Sequence, residues 1–446
     1  MEKVIIFFFI GSMLTSSVQG QSSRIKFEES LTLDQIKSKA KNEGKYIFID
    51  AFATWCLPCK KMDKEVFTND SVAGYVNDKF ISVRVQVDTS KNDDENIKRW
   101  YPDAARVREE YKIESLPSFL FFSPDGQIIH RGVAYKNPGE FIKLLDEALD
   151  STKQYYSLLE GFISGRRDPD KLHKLAIASM EIGENKVAKE VAAVYIDNYL
   201  NKLNVPELCK KENLDFISYF PELLNSKDAF FNLFYNHPDE VDQITYTGCS
   251  ERWVKYIINR EEIEAKVELG EKLHKEPNWK VIQSTIAAKY NKSYADNLVL
   301  DAQLSYYRGK KSWKKFANLR REKIMRYPPK KGEGIGSDQW GLNIDAWDVF
   351  QYCNDKEVLQ EALLWVEMAI KLEQPRPNMQ YLDTKANILY KLGRKKEAIS
   401  WEQMAIDSGI QLAKEMGRDK GFFYDEYSEV IKKMKEGQPT WPLEGN

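Results

Sequence analysis

Cys56 and Cys59 stand three positions apart in Trp55-Cys56-Leu57-Pro58-Cys59, with a proline between them. Two thiols at that spacing can close a small disulfide and reopen it. They follow the apolar run Tyr46-Ile47-Phe48-Ile49, so the pattern predicts a strand that ends at the motif and turns into a helix. A helix start offers unpaired backbone N–H groups and the positive end of the peptide dipole to the first sulfur, and both favour thiolate at neutral pH. Cys56 is then the attacking atom. Cys59, one turn on and shielded, resolves the mixed disulfide. Two other readings stand beside this one, a zinc half-site and an inert structural disulfide. A zinc site needs a second ligand pair, yet Cys209, Cys249 and Cys353 are isolated and the four histidines form no pair at ligand spacing. No metal and no cofactor are expected.

Asp50 closes the apolar run six positions before Cys56. Burial there raises a carboxyl pKa, which suits proton exchange with Cys59. The alternative is a strand-end carboxylate satisfied by backbone donors. Pro58 fixes a backbone angle near the helix start and removes one donor. Trp55 is expected to pack at the rim, with substrate contact as a secondary role.

These residues need a scaffold. Helical spacing covers Leu31 to Ala40, a buried strand Tyr46 to Phe52, and helices Cys56 to about Asn69 and Ser71 to Val76. Phe80 to Val87 reads as a strand. A polar stretch from Asp88 to Ile97 leads to a helix-like segment ending near Tyr111. Ser118 to Phe122, the turn Ser123-Pro124-Asp125-Gly126 and Gln127 to Arg131 form a hairpin, and Phe141 to Leu149 an amphipathic helix. This order implies an α/β unit with a central mixed sheet flanked by helices.

Asp50-Ala51-Phe52-Ala53-Thr54-Trp55-Cys56-Leu57-Pro58-Cys59-Lys60-Lys61-Met62 resembles the active-site stretch of the thioredoxin superfamily, and Ile113-Glu114-Ser115-Leu116-Pro117-Ser118 resembles its cis-proline loop. The resemblance spans about a quarter of the chain and is greatest to exported bacterial thioredoxin-like and thiol:disulfide interchange domains. It implies the thioredoxin fold, partial exposure of Cys56 and the proton role of Asp50. It also implies a cis Leu116–Pro117 peptide facing the sulfurs and presenting backbone to an extended substrate; an ordinary trans turn is the alternative. Proline at position 58 accompanies reducing behaviour in that family. Two departures stand out: Leu57 replaces the glycine of thioredoxin itself, and Asp88 to Lys112 is longer, adding Arg99, Trp100 and Tyr101 near the rim.

After about residue 151 strand signals nearly vanish. Glu361–Ile370 recurs at 397–406 with six of ten positions identical, a period of 36. That period suits stacked helix pairs. Tyr381 to Ile406 resembles a tetratricopeptide repeat, with Glu402 where that family prefers an aromatic. Gly183 before Ala188 echoes Gly393 before Ala398, as small residues that let helices approach. Aromatics such as Tyr155, Tyr156, Phe162, Tyr219, Phe220, Phe230 and Phe231 fill a helical core or, alternatively, line a client groove. The glycine-rich stretch from Lys330 to Gly341 follows no strand and reads as a connector. The expected division is 1–20 export signal, 21–150 thioredoxin-like, 151–330 helical, and 331–446 helical with tetratricopeptide-like repeats.

Bulk properties bound the partners. With 66 basic and 68 acidic residues in 446 the net charge is -2, so nucleic acid is not an expected partner. Lys3, the apolar stretch Val4 to Leu14 and the small residues before Gly20 read as a cleaved signal, with an uncleaved anchor as the alternative. No stable membrane span is expected after cleavage, and an exported, periplasmic setting follows. The expected function is an exported oxidoreductase that reduces or exchanges disulfides of protein clients. It would be recharged by an upstream thiol reductant, with a protein partner on the helical region. The alternative is a helical binding module whose front domain is a scaffold or redox sensor.

Overall fold

A computed structural model describes residues 24–442, so the expected signal at 1–20 lies outside the described residues. The chain divides into two compact units, up to Glu251 and from Arg252 onward.

The first unit opens with a five-stranded sheet of order β1-β3-β2-β4-β5. Its strands are β1 Phe27–Glu28, β2 Tyr46–Phe52, β3 Phe80–Gln86, β4 Ser118–Phe122 and β5 Ile128–Val133. The first three lie parallel and the last two antiparallel, giving the expected mixed sheet. Parallel neighbours need a helical crossover, which α2 (Leu57–Glu65) and α3 (Asp70–Lys79) provide between β2 and β3. Antiparallel β4 and β5 need only a turn, where Gly126 takes φ +78°. α1 (Leu33–Glu43), α4 (Glu95–Glu110) and α5 (Pro138–Leu149) complete the layers. Thr32 and Asn137 start α1 and α5 with reciprocal capping boxes, and Asp94 caps α4.

Side chains alternate across the sheet and build two cores. One gathers Phe48, Phe119, Phe121 and Phe141, with the Phe48 and Phe121 rings stacked at 5.4 Å. The other gathers Ile47, Ile49, Val83, Val107 and Leu120. Gly132 of β5 leaves room for Leu144, whose side chain a Cβ there would approach to 2.7 Å and force to shift.

The first unit continues through α6 (Tyr155–Ile163), α7 (Pro169–Glu181) and α8 (Asn185–Asn198) into shorter helices. Phe220 and Phe230 are fully buried there, while Tyr219 is exposed. The second unit is also helical, and its core includes Phe316, Phe350 and Trp365. The recurring decapeptides lie on the helices Lys356–Leu372 and Lys395–Glu415. Their equivalent alanines, Ala362 with Ala398 and Ala369 with Ala405, are all buried. Gly183 and Gly393 serve a different purpose from the one expected. Each takes a positive φ, +83° and +85°, and a Cβ on either would meet nothing within 4 Å, so backbone conformation rather than close approach selects glycine. Cys209, Cys249 and Cys353 are free and buried, so Cys209 and Cys249 form no bridge. Among the described residues no helix is long and apolar enough to cross a membrane.

Candidate functional site

β2 delivers the chain to the motif, and three contacts shape the turn that follows. Cys56 N–H donates to the Ala53 carbonyl at 3.1 Å, and Val87 N–H to the Phe52 carbonyl at 2.9 Å. The Asp88 carboxylate accepts from the Thr54 N–H at 3.1 Å and from its hydroxyl. Cys56 then becomes the cap residue of α2, with extended backbone angles. Its sulfur accepts the Cys59 N–H at 3.1 Å. Pro58, within the first two positions of the helix, has no N–H to offer. The helix start therefore presents its dipole and a directed donor to one sulfur, the arrangement that stabilises a thiolate.

The two sulfurs are bonded, with Cα atoms 5.3 Å apart. Cys56 and Cys59 are each 2% exposed, because Phe52, Val87 and Leu116 pack against them. Cys56 is thus more enclosed in the closed disulfide than the expected partial exposure. Trp55 at 69% and Leu57 at 74% stand out on either side. Trp55 is therefore less packed than expected, and Leu57, in place of a glycine, adds an apolar knob.

The Leu116–Pro117 peptide is cis. The Pro117 carbonyl is held by the Ala134 N–H at 2.9 Å. A cleft of about 560 Å³ opens here, lined by Trp55, Cys56, Leu57 and Pro58 on one side and by Ile113, Glu114 and Leu116 on the other. Val87, Asp88 and Arg108 also line it. Arg108 comes from α4, so the longer Asp88–Lys112 stretch supplies one wall of the cleft.

Asp50 is 1% exposed and lies outside the lining of the cleft. It pairs across the sheet with Arg84, whose Nε donates to Oδ2 at 3.1 Å. The same guanidinium reaches Asp63 of α2 at 2.9 Å and stacks over Phe52 at 4.1 Å. The other Asp50 oxygen has no partner. Burial dominates and lifts the Asp50 pKa to about 7, against the opposing charge of Arg84. Sequence reasoning missed Arg84 and Asp63. A lone cation inside the strand run Ile81 to Val87 was the available signal for the first.

A family model described as thioredoxin-like domain matches residues 33–149. That segment is a thioredoxin-like domain. Curated relatives of the domain include thiol:disulfide interchange proteins DsbD. That of Pseudoalteromonas atlantica is 32% identical over 120 residues, which is 26% of this chain and 18% of the relative. That of Colwellia psychrerythraea is 27% identical over 132 residues, 28% of this chain and 20% of the relative. The chain thus spans about a fifth of the length of these relatives. Similar solved structures include one from Bacteroides thetaiotaomicron described as a candidate disulphide-isomerase. It is 27% identical, with a TM-score of 0.25, over 29% of this chain and 98% of that one. A thioredoxin from Thermus thermophilus is 18% identical, with a TM-score of 0.24, over 29% of this chain and 89% of that one. The matched segment holds the bonded Cys56–Cys59 pair, and the curated relatives that share it are named as thiol:disulfide interchange proteins.

Proposed function

We propose that the chain is an exported, periplasmic thiol:disulfide oxidoreductase that reduces or exchanges disulfides of protein clients. The observation that carries the reading is the Cys56 sulfur, which caps α2 and accepts the Cys59 N–H beside an open cleft. With the pair reduced, the Cys56 thiolate attacks one sulfur of a client disulfide and expels the other as thiolate. Asp50 takes the proton of Cys59, whose sulfur then attacks Cys56 and releases the second client thiolate. The domain is left with the Cys56–Cys59 disulfide, and an upstream thiol reductant returns the two electrons. Trp55, Pro58, Leu116 and Pro117 frame the extended client at the cleft.

The division into 21–150, 151–330 and 331–446 assigns client or partner binding to the helical parts, with tetratricopeptide-like stacking at the end. Glu402, buried where such a repeat carries an aromatic, suits a divergent or terminal repeat.

The test is a Cys59→Ala chain, which lacks the resolving thiol and, with Cys56 reduced, should accumulate mixed disulfides on Cys56 when offered disulfide-bonded clients. Cys56→Ser should capture none and should not reduce insulin. Equal capture by both variants would overturn the reading. The equilibrium potential against glutathione decides direction: a value near about -120 mV would defeat reduction.

A further inference from the structure

β5 is the last strand of the sheet, and the helical segment after the thioredoxin-like domain closes over it. Tyr155, the first residue of α6, donates its backbone N–H to Nδ1 of His130 at 3.0 Å. The next residue of β5, Arg131, points to the opposite face of the sheet. Its side chain is 4% exposed. One Nη donates to the Tyr111 carbonyl at 3.3 Å and lies 3.6 Å from the Glu184 carboxylate. Glu184 is the cap residue of α8. The guanidinium therefore touches both the helical segment and the end of α4.

Tyr111 is where α4 stops and the cleft segment 111–117 begins. Its carbonyl is one of the acceptors a helix end leaves unpaired, and a cation there also suits the negative end of the helix dipole. The other end of the segment, the Pro117 carbonyl, is held by Ala134, three residues beyond Arg131. Strand β5 and its continuation thus grip the segment at both ends. Ile113, Glu114 and Leu116 between those grips form one wall of the Cys56 cleft. A guanidinium this enclosed needs a counter-charge, because an unpaired buried cation is costly. Among the described residues Glu184 is the carboxylate within ion-pair distance of it.

We propose that Arg131 is a positioning residue that ties the cleft segment 111–117 to Glu184, so that the helical segment sets how well the cleft receives a protein client. This deepens the oxidoreductase reading and rests on the cleft being the client site. The thioredoxin-like domain is then not an independent head on a helical tether. Its client wall is held from one side by residues that belong to the helices.

The test uses the full chain with Glu184→Gln, Arg131→Gln and the conservative Arg131→Lys, which keeps charge but loses the planar fork. Glu184 is partly exposed, so its loss should leave the fold intact. Amide hydrogen exchange of 111–117 should quicken about threefold in Glu184→Gln, the weight of an ion pair of this exposure, and more in Arg131→Gln, while β2 stays unchanged. KM for insulin should rise by a similar factor with kcat unchanged, and reduction of the small 2-hydroxyethyl disulfide, which needs no client wall, should stay constant. Arg131→Lys should recover part of the loss. Unchanged exchange at 111–117 in a folded Glu184→Gln chain overturns the proposal. So does a fall in small-disulfide reduction in step with insulin. A wild-type chain inert toward insulin but with the expected exchange response would instead sink the oxidoreductase reading, and with it the functional half of the tie.

Discussion

Asp50→Asn should make the protein more stable and less active, with the gain confined to neutral and alkaline pH. Burial moves the Asp50 pKa from 3.8 to about 7. At about 1.4 kcal/mol per tenfold change in proton affinity, the ionised form is about 4 kcal/mol less favourable in the folded chain than in the unfolded one. Because the folded value is the higher one, the folded chain holds more protons between pH 3.8 and about 7, and stability falls as pH rises through that window. Asparagine has no charge to bury, but it leaves Arg84 with only Asp63 as a carboxylate partner, a loss of about 1–2 kcal/mol. The net gain should be about 2–3 kcal/mol at about pH 8 and should vanish or reverse near pH 4. Urea titration with exchange of the β2 amides as the local readout measures it in the full chain. On the proposed role of Asp50 as proton acceptor for Cys59, the same variant should also resolve mixed disulfides more slowly. A variant that is less stable than wild type at about pH 8, or whose gain is the same at both pH values, would refute the reasoning.

His130 is buried and accepts a hydrogen bond at Nδ1, and burial holds its pKa down at about 4. A depressed histidine contributes stability above pH 6.5 that is lost as pH falls toward 4, here about 3 kcal/mol, so His130→Gln should show a shallower acid loss than wild type in urea titrations. In the second unit Asp383 and Glu402 are buried together, with Asn387 donating to Asp383 at 2.8 Å and with Tyr427 and Glu426 nearby. Burial and the facing carboxyl push Glu402 well above the carboxylate range, so it keeps a proton at neutral pH. A raised carboxyl loses stability as pH rises. Glu402→Gln should therefore flatten the alkaline loss in the helix Lys395–Glu415, read by hydrogen exchange, and an unchanged alkaline profile would count against the proton held by Glu402.

Local pattern carried the elements that have one. β2 and β4 fall where the buried apolar runs Tyr46 to Phe52 and Ser118 to Phe122 placed them, because a strand buried on both faces reads as continuous apolar sequence. β1, two residues long, has no run to read. α2 stops at Glu65 rather than near Asn69, and α4 begins at Glu95, inside the stretch read as polar, once Asp94 caps it. Cys56 and Leu116, from two separated segments, line one cleft, and Leu116 also packs against Cys59. What local pattern could not carry was pairing at a distance. Asp50 meets Arg84 only through the parallel register of β2 and β3. His130 and Arg131 fall in the segment read as a returning strand, and their contacts with Tyr155 and Glu184 lie beyond what that pattern carries.

That same distance effect explains why the sulfur and the carboxyl have opposite electrostatics although one strand–turn–helix holds both. The Cys56 sulfur sits at a helix start, where a backbone donor and a dipole favour its charge. Asp50 lies six residues earlier in an apolar sheet, where burial disfavours its charge and Arg84 only partly compensates. β3 and the residues just after it touch both settings. Arg84 faces Asp50, Val87 packs on the cysteines, and Asp88 fastens the turn at Thr54. If nucleophile and proton acceptor are tuned from that one strand, substitutions along it should change the pH profile of exchange one residue at a time. Arg84→Gln, by removing the opposing cation, should move the limb assigned to Asp50 to higher pH and leave the Cys56 limb in place.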